Sequence, residues 1–578
     1  MKMKSVSDMK RTIFALALHG GFAVTGLQGQ TQYDVLVKSA FSPVIQDAQK
    51  KISFPARIVD TVAARPKMEY PIQVRPLPTH FTPEPIKAPR VGKDAIARLY
   101  QHYIKAGAGY LQPMLEYDFN TLRSTKQSFG LHLYSHASWN QVKGCAPSAY
   151  GEHNIGLHGQ QYREKFHFRE EAGYAFDHYH CYGYPADSIE KLFGWSQKAE
   201  DIARHYQRAH ASFEAFTPST RNSLRLNRRY SAEYAMLFDN YHSLEHDVLA
   251  GLTLDKRVMV SRLDMFRIAG DLSMEYANNY WDTASRHADT WLFRAAPKLK
   301  MEEDLWRLSL GVAVGVALEN GEATAAVFPD VQAHLDIVPE ILSVYAGAEG
   351  GMYRDAFGKI SLENPFLAPV LDLGTDRLYN LYLGTRTNLS NSLIFGARIG
   401  MEMHSGMPFY LPDTASLALT DTTRIRLLNT FGIDHAKASL TNVHLDAAYH
   451  YKEALRIAAN LDYFSYSTDD TVVLFYKPQY VLSLSADYLW KSKVRAGMDW
   501  VWKGGLFAPE YASDGSRSKA SLPDWFDWSL NAEYLWNRRL RFFAELNNLL
   551  GRRNQRYAQY YTERFNCLFG VKYIFGGE

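Results

Sequence analysis

Two histidines, a carboxylate and a thiol fall within five consecutive residues of this chain, Asp177-His178-Tyr179-His180-Cys181. On a β-strand, His178 and His180 would project from the same face, a spacing that a metal ion can bridge. No third ligand follows at a suitable spacing in the sequence. The sequence therefore favours a pair of histidines at a strand end over a metal site.

A nucleophile with a positioned base is the other chemistry that these residue types could supply. His132 and His136 share a strand face with Tyr134, yet an i, i+4 pair on a strand is roughly 13 Å apart. The sequence contains neither a Gly-x-Ser-x-Gly elbow nor a phosphate-binding loop. The three cysteines are too scattered for a zinc site, although a Cys145–Cys181 bridge stays open. We expect no catalytic residue, no cofactor and no metal, and hence no enzyme.

The segments that would carry such side chains alternate apolar residues with polar or small ones. In Trp306–Leu318 the even-numbered residues are Trp, Leu or Val, whereas the odd-numbered ones are Arg, Ser, Gly or Ala. A helix of 3.6 residues per turn would mix the two sets, so the pattern predicts a strand with one apolar face. The same alternation recurs in six further segments: Leu111–Asn120, Phe266–Tyr276, Leu393–Glu402, Leu455–Tyr463, Leu482–Trp490 and Trp528–Trp536.

The last strand predicts how the sheet is completed. Its apolar face carries five large residues: Phe565, Phe569, Val571, Tyr573 and Phe575. The other face is polar or small apart from Leu568 and Ile574. A terminal strand of this kind, apolar on alternate positions and ending near an aromatic residue, suits insertion by the outer-membrane barrel assembly machinery.

A soluble β-sandwich or propeller also alternates, but two features favour a membrane barrel. The strands run to about ten residues or more, which suits a tilted membrane crossing better than the usual five or six of soluble sheets. Tryptophans gather at strand ends, where membrane-interface girdles lie. We predict an all-β fold, a transmembrane antiparallel β-barrel of about 20–22 strands in contact with outer-membrane lipid.

The N-terminal part of the chain indicates the compartment. In residues 1–30, four basic residues precede a short apolar run, which predicts a secretory signal peptide. Residues 31–98 form a short proline-rich N-terminal periplasmic extension, and the barrel takes residues 99–578. Eight prolines between Pro55 and Pro89 favour an extended chain. The extension is either a passive linker or a segment that enters the lumen or docks on a partner.

Connection lengths alternate when they are counted back from the last strand. The long links are 548–564, 504–524, 465–477 and 404–428, and the short ones are 537–539, 491–492, 452–453 and 388–391. Outer-membrane barrels have short periplasmic turns and long outer loops. We therefore expect a Gram-negative outer-membrane protein with both termini in the periplasm.

A barrel of this width cannot be filled by its own side chains and must hold water, a plug or a partner. Its inward-facing polar residues would line the lumen, and the candidates are Arg267, Asp271, Arg398, Glu402, Asp462 and Asp487. The formal net charge of +3 is too near neutral to indicate a nucleic-acid partner.

Near the C-terminus, Phe542–Leu550, Gln559–Tyr561 and Phe569–Phe575 resemble the closing hairpin of TonB-dependent receptor barrels. The resemblance implies a 22-stranded outer-membrane transporter that takes up a scarce ligand with energy from the inner membrane. Members of that family hold a globular plug inside the barrel. This chain departs from the family there, because residues 31–98 contain neither a recognisable plug nor a TonB box.

Two functions stay open on the sequence. The first is transport of a solute whose identity the sequence does not give. The second is a non-transporting barrel that serves as a subunit or scaffold of a larger outer-membrane assembly. In that case the proline-rich extension would bind a periplasmic or lipid-anchored protein. The resemblance favours transport.

The link lengths predict the orientation of the barrel. A tag inserted near Ser416 or Ser513, in two of the long links, should be labelled by a membrane-impermeant reagent on intact cells. A tag in the short link at Lys491–Ser492 should be labelled only after the outer membrane is opened. The opposite pattern would show that the orientation is inverted.

Overall fold

The computed structural model describes residues 99–577 apart from 123, 185–198, 219–224, 260–264, 282–285, 371–372, 413–429, 469–472 and 512–516. The predicted signal peptide and proline-rich extension therefore lie outside the described residues. The described ranges contain one 22-stranded sheet, two small hairpins, a 3-10 helix at Ala199–Ile202 and one α-helix, α1 (Phe357–Glu363). Among these residues, no helix is both long enough and apolar enough to cross a membrane.

The strands are numbered in chain order. The first half of the large sheet comprises β1 (Tyr100–Gly109), β2 (Gln112–Asn120), β3 (Gln127–Ser138), β4 (Tyr150–Tyr162), β5 (His167–His180), β6 (Ala203–Phe216), β7 (Asn227–Asp239), β8 (Ser243–Met259), β9 (Met265–Trp281), β10 (Arg286–Glu302) and β11 (Trp306–Glu319). The second half comprises β12 (Glu322–Val338), β13 (Leu342–Arg354), β14 (Thr375–Ser390), β15 (Leu393–Pro412), β16 (Phe431–Tyr451), β17 (Leu455–Thr468), β18 (Tyr480–Trp490), β19 (Val494–Gly504), β22 (Trp525–Leu535), β23 (Leu540–Asn547) and β26 (Asn566–Gly577). The two hairpins are β20 (Phe507–Tyr511) with β21 (Arg517–Ser521), and β24 (Gln555–Tyr557) with β25 (Tyr560–Tyr561).

The sheet closes on itself. Each strand pairs antiparallel with its neighbour in the chain order, and β1 pairs with both β2 and β26. The β1–β26 ladder runs from Tyr100↔Gly577 to Gly109↔Leu568. The predicted all-β antiparallel barrel is therefore confirmed, and its 22 strands fall within the predicted range.

The two faces of the wall are those that the alternation predicts. In β11, Val312 and Val314 point outward and are 46% and 39% exposed, whereas Ala317 points inward and is fully buried. In β26, Phe569 is 55% exposed on the outer face. Leu568, an exception to the alternation, is buried on the inner wall with neighbours that include Phe543. It is apolar because it packs there rather than facing water.

The longest links lie at one end of the barrel, which also carries short links at 110–111, 240–242, 282–285 and 320–321. The links at 139–149, 181–202, 355–374, 413–430, 469–479, 505–524 and 548–565 all leave the end opposite the first residue of β1 and the last residue of β26. We call this the long-link end. The hairpins β20–β21 and β24–β25 belong to two of these links. The predicted link at 404–428 is shorter than expected, because β15 continues to Pro412.

Strand β13 separates from β12 part-way along its length, while it stays paired with β14 as far as Arg354↔Thr375. Its ladder with β12 stops at Asp330↔Glu349, whereas β12 continues beside β11 as far as Glu322. All these residues lie in the described part of the chain. Beyond the split, Met352 of β13 lies over the inner face of β11. A Cβ on Gly315 of that strand would come within 2.8 Å of the Met352 side chain.

The local sequence accounts for this split. Pro329, which precedes Asp330 in β12, has no N–H to donate to a ladder with β13. A Cβ on Gly350 of β13 would meet the Phe328 ring at 2.8 Å, so only glycine fits at the bend. The Tyr379 hydroxyl donates to the backbone oxygen of Val327 at 3.2 Å and covers a carbonyl beside the split. The end of β13 that lies nearer the long-link end is thereby directed into the lumen.

The wall assignment predicts how charge is tolerated on its two faces. Val314→Arg places a cation on the apolar outer face near mid-membrane, which should cost about 2–4 kcal/mol of folding free energy. Asn460→Arg is the matched change on an exposed inner position, opposite Asp446, and should be close to neutral. Urea unfolding in lipid vesicles, followed by tryptophan fluorescence, measures both.

Equal losses from the two variants would contradict the assigned faces. Ala313, the inward neighbour of Val314, is not a suitable control, because it packs against a buried cluster that includes Phe328 and Met352.

Candidate functional site

The long-link end of the barrel is closed by an apolar core built largely from the links themselves, which we call the link cap. Its link and hairpin residues are buried: Ala146, Cys181, Ile202, Phe357, Ile360, Phe366, Leu367, Leu373, Leu474, Phe475, Tyr476, Ala508, Tyr557 and Tyr560. Strand ends add further buried side chains, among them Tyr410 of β15 and Phe431 of β16. The wall itself therefore supplies the material that fills this end of the lumen.

Three rings meet at the centre of the link cap. Tyr182 follows β5, Phe366 lies between β13 and β14, and Tyr560 lies between β23 and β26. These three links are spaced at about a third of the sheet from one another. The Phe366 and Tyr560 rings stack with centroids 3.9 Å apart, and Tyr182 contacts both, at 5.7 Å and 5.0 Å. Contacts between such widely separated links can form only if the links turn inward across the lumen.

Backbone groups also join the links of the cap. Phe431 N–H donates to Phe366 O and Ala368 N–H donates to Phe431 O, each at 2.9 Å, which forms a short parallel bridge. The Tyr182 hydroxyl donates to Tyr561 O at 2.8 Å. The cap is thus held by hydrogen bonds as well as by apolar packing, as a buried irregular segment requires.

A charged cluster anchors the inward part of β13 to strands β8 and β9 across part of the lumen. The Arg354 side chain is 2% exposed and forms ion pairs with Glu245 at 3.1 Å, with Glu275 at 3.2 Å and with Asp247. Arg294 of β10 also pairs with Glu275, at 2.6 Å. Strand β13 is thereby tied to β8 and β9, which lie several strands away around the wall.

The same cluster positions helix α1. One Glu245 carboxylate oxygen accepts the Phe357 N–H at 3.0 Å, and the other accepts the Gly358 N–H at 2.6 Å. These are N–H groups of the first helical turn, which have no partner within the helix. At the other side of the helix, Arg208 of β6 donates to the Ser361 hydroxyl at 2.9 Å.

The candidate lumen residues on β9 lie on the inner wall and are already paired. Arg267 forms two hydrogen bonds with Asp255, at 3.2 Å and 2.8 Å. Asp271 pairs with Lys298 at 3.0 Å, and Lys298 also contacts Asp330 at 3.0 Å. These cross-strand pairs balance charge along the inner face of β8–β12.

The candidates on later strands occupy different surroundings. Arg398 lies 4.5 Å from the centre of the Tyr382 ring. Glu402 is 1% exposed, with His404 at 3.5 Å. Asp462 lies level with Arg398, since both residues pair across the sheet with His444, whereas Asp487 lies nearer the short-link end. Asp462 binds His444 at 2.7 Å, and Asp487 lines a cavity of about 370 Å³. The six candidates thus lie on four strands, β9, β15, β17 and β18, and the structure does not bring them into one cluster. Their part in a solute path stays a prediction.

One group of side chains in the described lumen has the donor set of a cation site. Glu116, Asp118 and His132 each offer a ligand atom, and these atoms lie within 4.8 Å of one another. The 2.7 Å contact between Asp118 and His132 already accounts for two of the three as an ordinary ion pair. The histidines of the Asp177–Cys181 tract instead lie on the outer face of β5, where the His178 and His153 rings stack with centroids 6.0 Å apart.

The cysteines do not form a bridge. Cys145, Cys181 and Cys567 are all free thiols, so the open alternative of a Cys145–Cys181 disulfide is wrong for this structure. Burial raises the pKa of the Cys181 thiol to about 11. The thiol therefore stays protonated at neutral pH and packs as a small apolar group.

Sequence reasoning missed the residues that cover the lumen at the long-link end. Arg354, Phe366 and Tyr560 lie at strand ends or in links, where alternation carries no information. One signal was available, since the long links contain many aromatic residues, which a freely solvated loop does not need.

The fold matches those of known outer-membrane receptors. The ferric-catecholate import receptor Fiu of E. coli K12 aligns with a TM-score of 0.61 at 10% identity, covering 83% of this chain and 82% of that one. The siderophore receptor PirA of Acinetobacter baumannii gives 0.62 at 10% identity, covering 83% and 81%. The pyoverdine receptor FpvA of Pseudomonas aeruginosa PAO1 gives 0.60 at 13% identity, covering 82% and 79%.

The chain has the barrel fold of TonB-dependent siderophore receptors. The predicted resemblance is confirmed at the level of fold. The sequence itself matches no known family model and no curated protein. Each of the three neighbours is described as a receptor.

The charged cluster predicts a strong dependence on Arg354. Arg354→Ala leaves three carboxylates without their shared cation, and breaking a buried ion pair in this way costs about 3–5 kcal/mol. Arg169→Ala is the matched control, since Arg169 is 46% exposed in its pair with Glu214 and should contribute about 0.2–1 kcal/mol. Urea unfolding in lipid vesicles measures both, and a loss for Arg354→Ala no larger than that for Arg169→Ala would contradict the anchoring role.

Proposed function

We propose that this chain is an outer-membrane barrel that passes a solute across the Gram-negative outer membrane and that is closed at rest by its own links. The observation that carries the proposal is the combination of a 22-stranded closed wall with a link cap across one end. A wall of 22 strands encloses a lumen too wide for inward side chains to fill, whereas a purely structural barrel can be small enough for side chains to fill it. The fold shared with siderophore receptors supports transport as its use.

In this proposal the long-link end faces the cell exterior and both termini are periplasmic, since long links are the outer ones in such barrels. The link cap separates the exterior from the lumen, and the inner wall below it carries paired charges. Passage then requires the Tyr182–Phe366–Tyr560 contact to open. Energy coupling to the inner membrane is not part of the proposal, because the sequence offers no TonB box.

A scaffold role is the second candidate, and one observation favours it. The link cap is packed and hydrogen-bonded like a protein interior, and Arg354 fixes β13 with three carboxylates. A barrel closed permanently in this way would serve as a rigid subunit of a larger assembly. The proline-rich extension would then bind a periplasmic or lipid-anchored protein.

Conductance in planar bilayers distinguishes the two functions. The wild-type chain should show little or no conductance, because the cap is closed. Phe366→Ala/Tyr560→Ala removes two stacked rings at the centre of the cap and should give open channels. The control Phe543→Ala/Tyr134→Ala removes the same ring types from the inner-wall cluster outside the cap, and should stay closed.

Silence from the cap variant in its folded form, together with a partner that co-purifies from native membranes, would favour the scaffold and contradict transport. Deletion of Thr31–Pro89 gives a further comparison. If the cap alone closes the barrel, the shortened chain should be as silent as the wild type. If it conducts, the extension contributes to closure.

A further inference from the structure

A cavity of about 360 Å³ lies at the rim of the long-link end, beside the strands that close the barrel. The β1–β2 turn, the β3–β4 link and the β23–β26 link all contribute to its lining. Phe565, just before β26, and Cys567, an outward residue of that strand, also line it, as does Asn566 of the inward face. The cavity therefore lies at the rim of the wall rather than within the link cap.

The charge of the cavity is positive. Lys143, Arg553 and Arg564 line it and are exposed. Among its described lining residues Glu563 is the one carboxylate, and it is already bound. Gln112 Nε2 and the Ser138 hydroxyl each donate to it at 2.5 Å. Three cations therefore face the cavity against a single carboxylate whose oxygens are occupied.

Two further features of the cavity concern Arg553 and Thr562. Arg553 is held in place, because its guanidinium lies 4.1 Å from the centre of the Tyr561 ring and donates to Lys143 O at 3.1 Å. The hydroxyl oxygen of Thr562, a lining residue, is buried and has no hydrogen-bond partner among the described residues. A buried polar atom without a partner is costly unless something else binds it.

The apolar side of the cavity identifies the kind of ligand. Tyr110 and Phe565 are 79% and 52% exposed at the rim. Aromatic residues at this height in a membrane barrel lie at the level of lipid headgroups. A ligand bound here would thus meet cations and a free hydroxyl on one side and the membrane interface on the other. A soluble anion would use only the first of these.

We propose that this cavity binds the phosphate group of a membrane-lipid headgroup, with Lys143, Arg553 and Arg564 as the cations and the Thr562 hydroxyl as a hydrogen-bonding group. The acyl chains lie along the outer face of β1 and β26, past Phe565. The site rests on the membrane location proposed above but not on transport. It would fasten lipid against the seam where the first and last strands meet.

Binding of bisphosphorylated lipid A to the purified full-length chain in non-ionic detergent tests the site. Arg553→Gln/Arg564→Gln should weaken binding about 30-fold, since each cation near an anionic lipid group strengthens binding about five- to sixfold. Arg538→Gln/Arg539→Gln, an equal loss of charge in the β22–β23 turn at the other end, should leave it unchanged. Heat-modifiable gel mobility verifies that each variant is folded.

Thr562→Val gives a second test that does not depend on net charge. The hydroxyl makes no hydrogen bond within the described structure, so its removal should not unfold the chain, yet it should weaken lipid binding about tenfold. Removing the lipid A phosphates should weaken binding as the arginine variants do.

Equal affinity of the wild-type chain and the double arginine variant would overturn the proposal. So would displacement of the lipid by inorganic phosphate, because the site would then be one for a soluble anion. Conductance is measured separately on the cap variant Phe366→Ala/Tyr560→Ala, because the wild-type chain is expected to be silent. Lost lipid binding in the double arginine variant has no bearing on open channels from the cap variant, and a silent cap variant leaves the lipid site standing.

Discussion

The pairing of β26 with β1 is the contact on which the rest of this structure depends. In lipid, no water satisfies the N–H and C=O groups of an open sheet edge, so a membrane sheet must close on itself. A closed wall of 22 strands encloses more space than its inward side chains can fill. Something must occupy or cover the lumen, and the structure shows which part of the chain does so.

In the described part of the chain, the covering comes from the links between strands and from a few strand ends. Where β12 and β13 separate, the end of β13 turns into the lumen together with the start of β14, and Arg354 binds carboxylates of β8 and β9 there. The link that follows then reaches the centre, where Phe366 meets Tyr182 and Tyr560. One departure from regular sheet pairing thus places a helix, an ion cluster and an aromatic core in one region. The barrel wall and the link cap that covers its lumen would then be built from consecutive segments of the same chain.

The sequence predicted the wall well and its interior poorly, for a physical reason. Alternation with a period of two residues is imposed by lipid on one side and the lumen on the other, so strands such as β11 and β26 could be identified from their residues alone. The link cap depends on contacts between residues far apart in the chain. The rings of Tyr182, Phe366 and Tyr560 have no shared spacing that sequence periodicity could reveal. The six candidate lumen residues lie on strands β9, β15, β17 and β18, but alternation could not tell that Glu402 would be buried and Arg267 paired.

The central claim is that links from distant parts of the wall meet across the lumen, and cysteine cross-linking tests it most directly. The chain would carry Phe366→Cys and Tyr560→Cys, with Cys145, Cys181 and Cys567 replaced by alanine. Treatment of folded protein in native membranes with a short bifunctional maleimide should join the two positions, since the native rings lie 3.9 Å apart. Proteolysis between the two sites followed by denaturing electrophoresis would then show linked fragments. Separate fragments from folded protein that reacts fully with maleimide at each site would contradict the closed link cap.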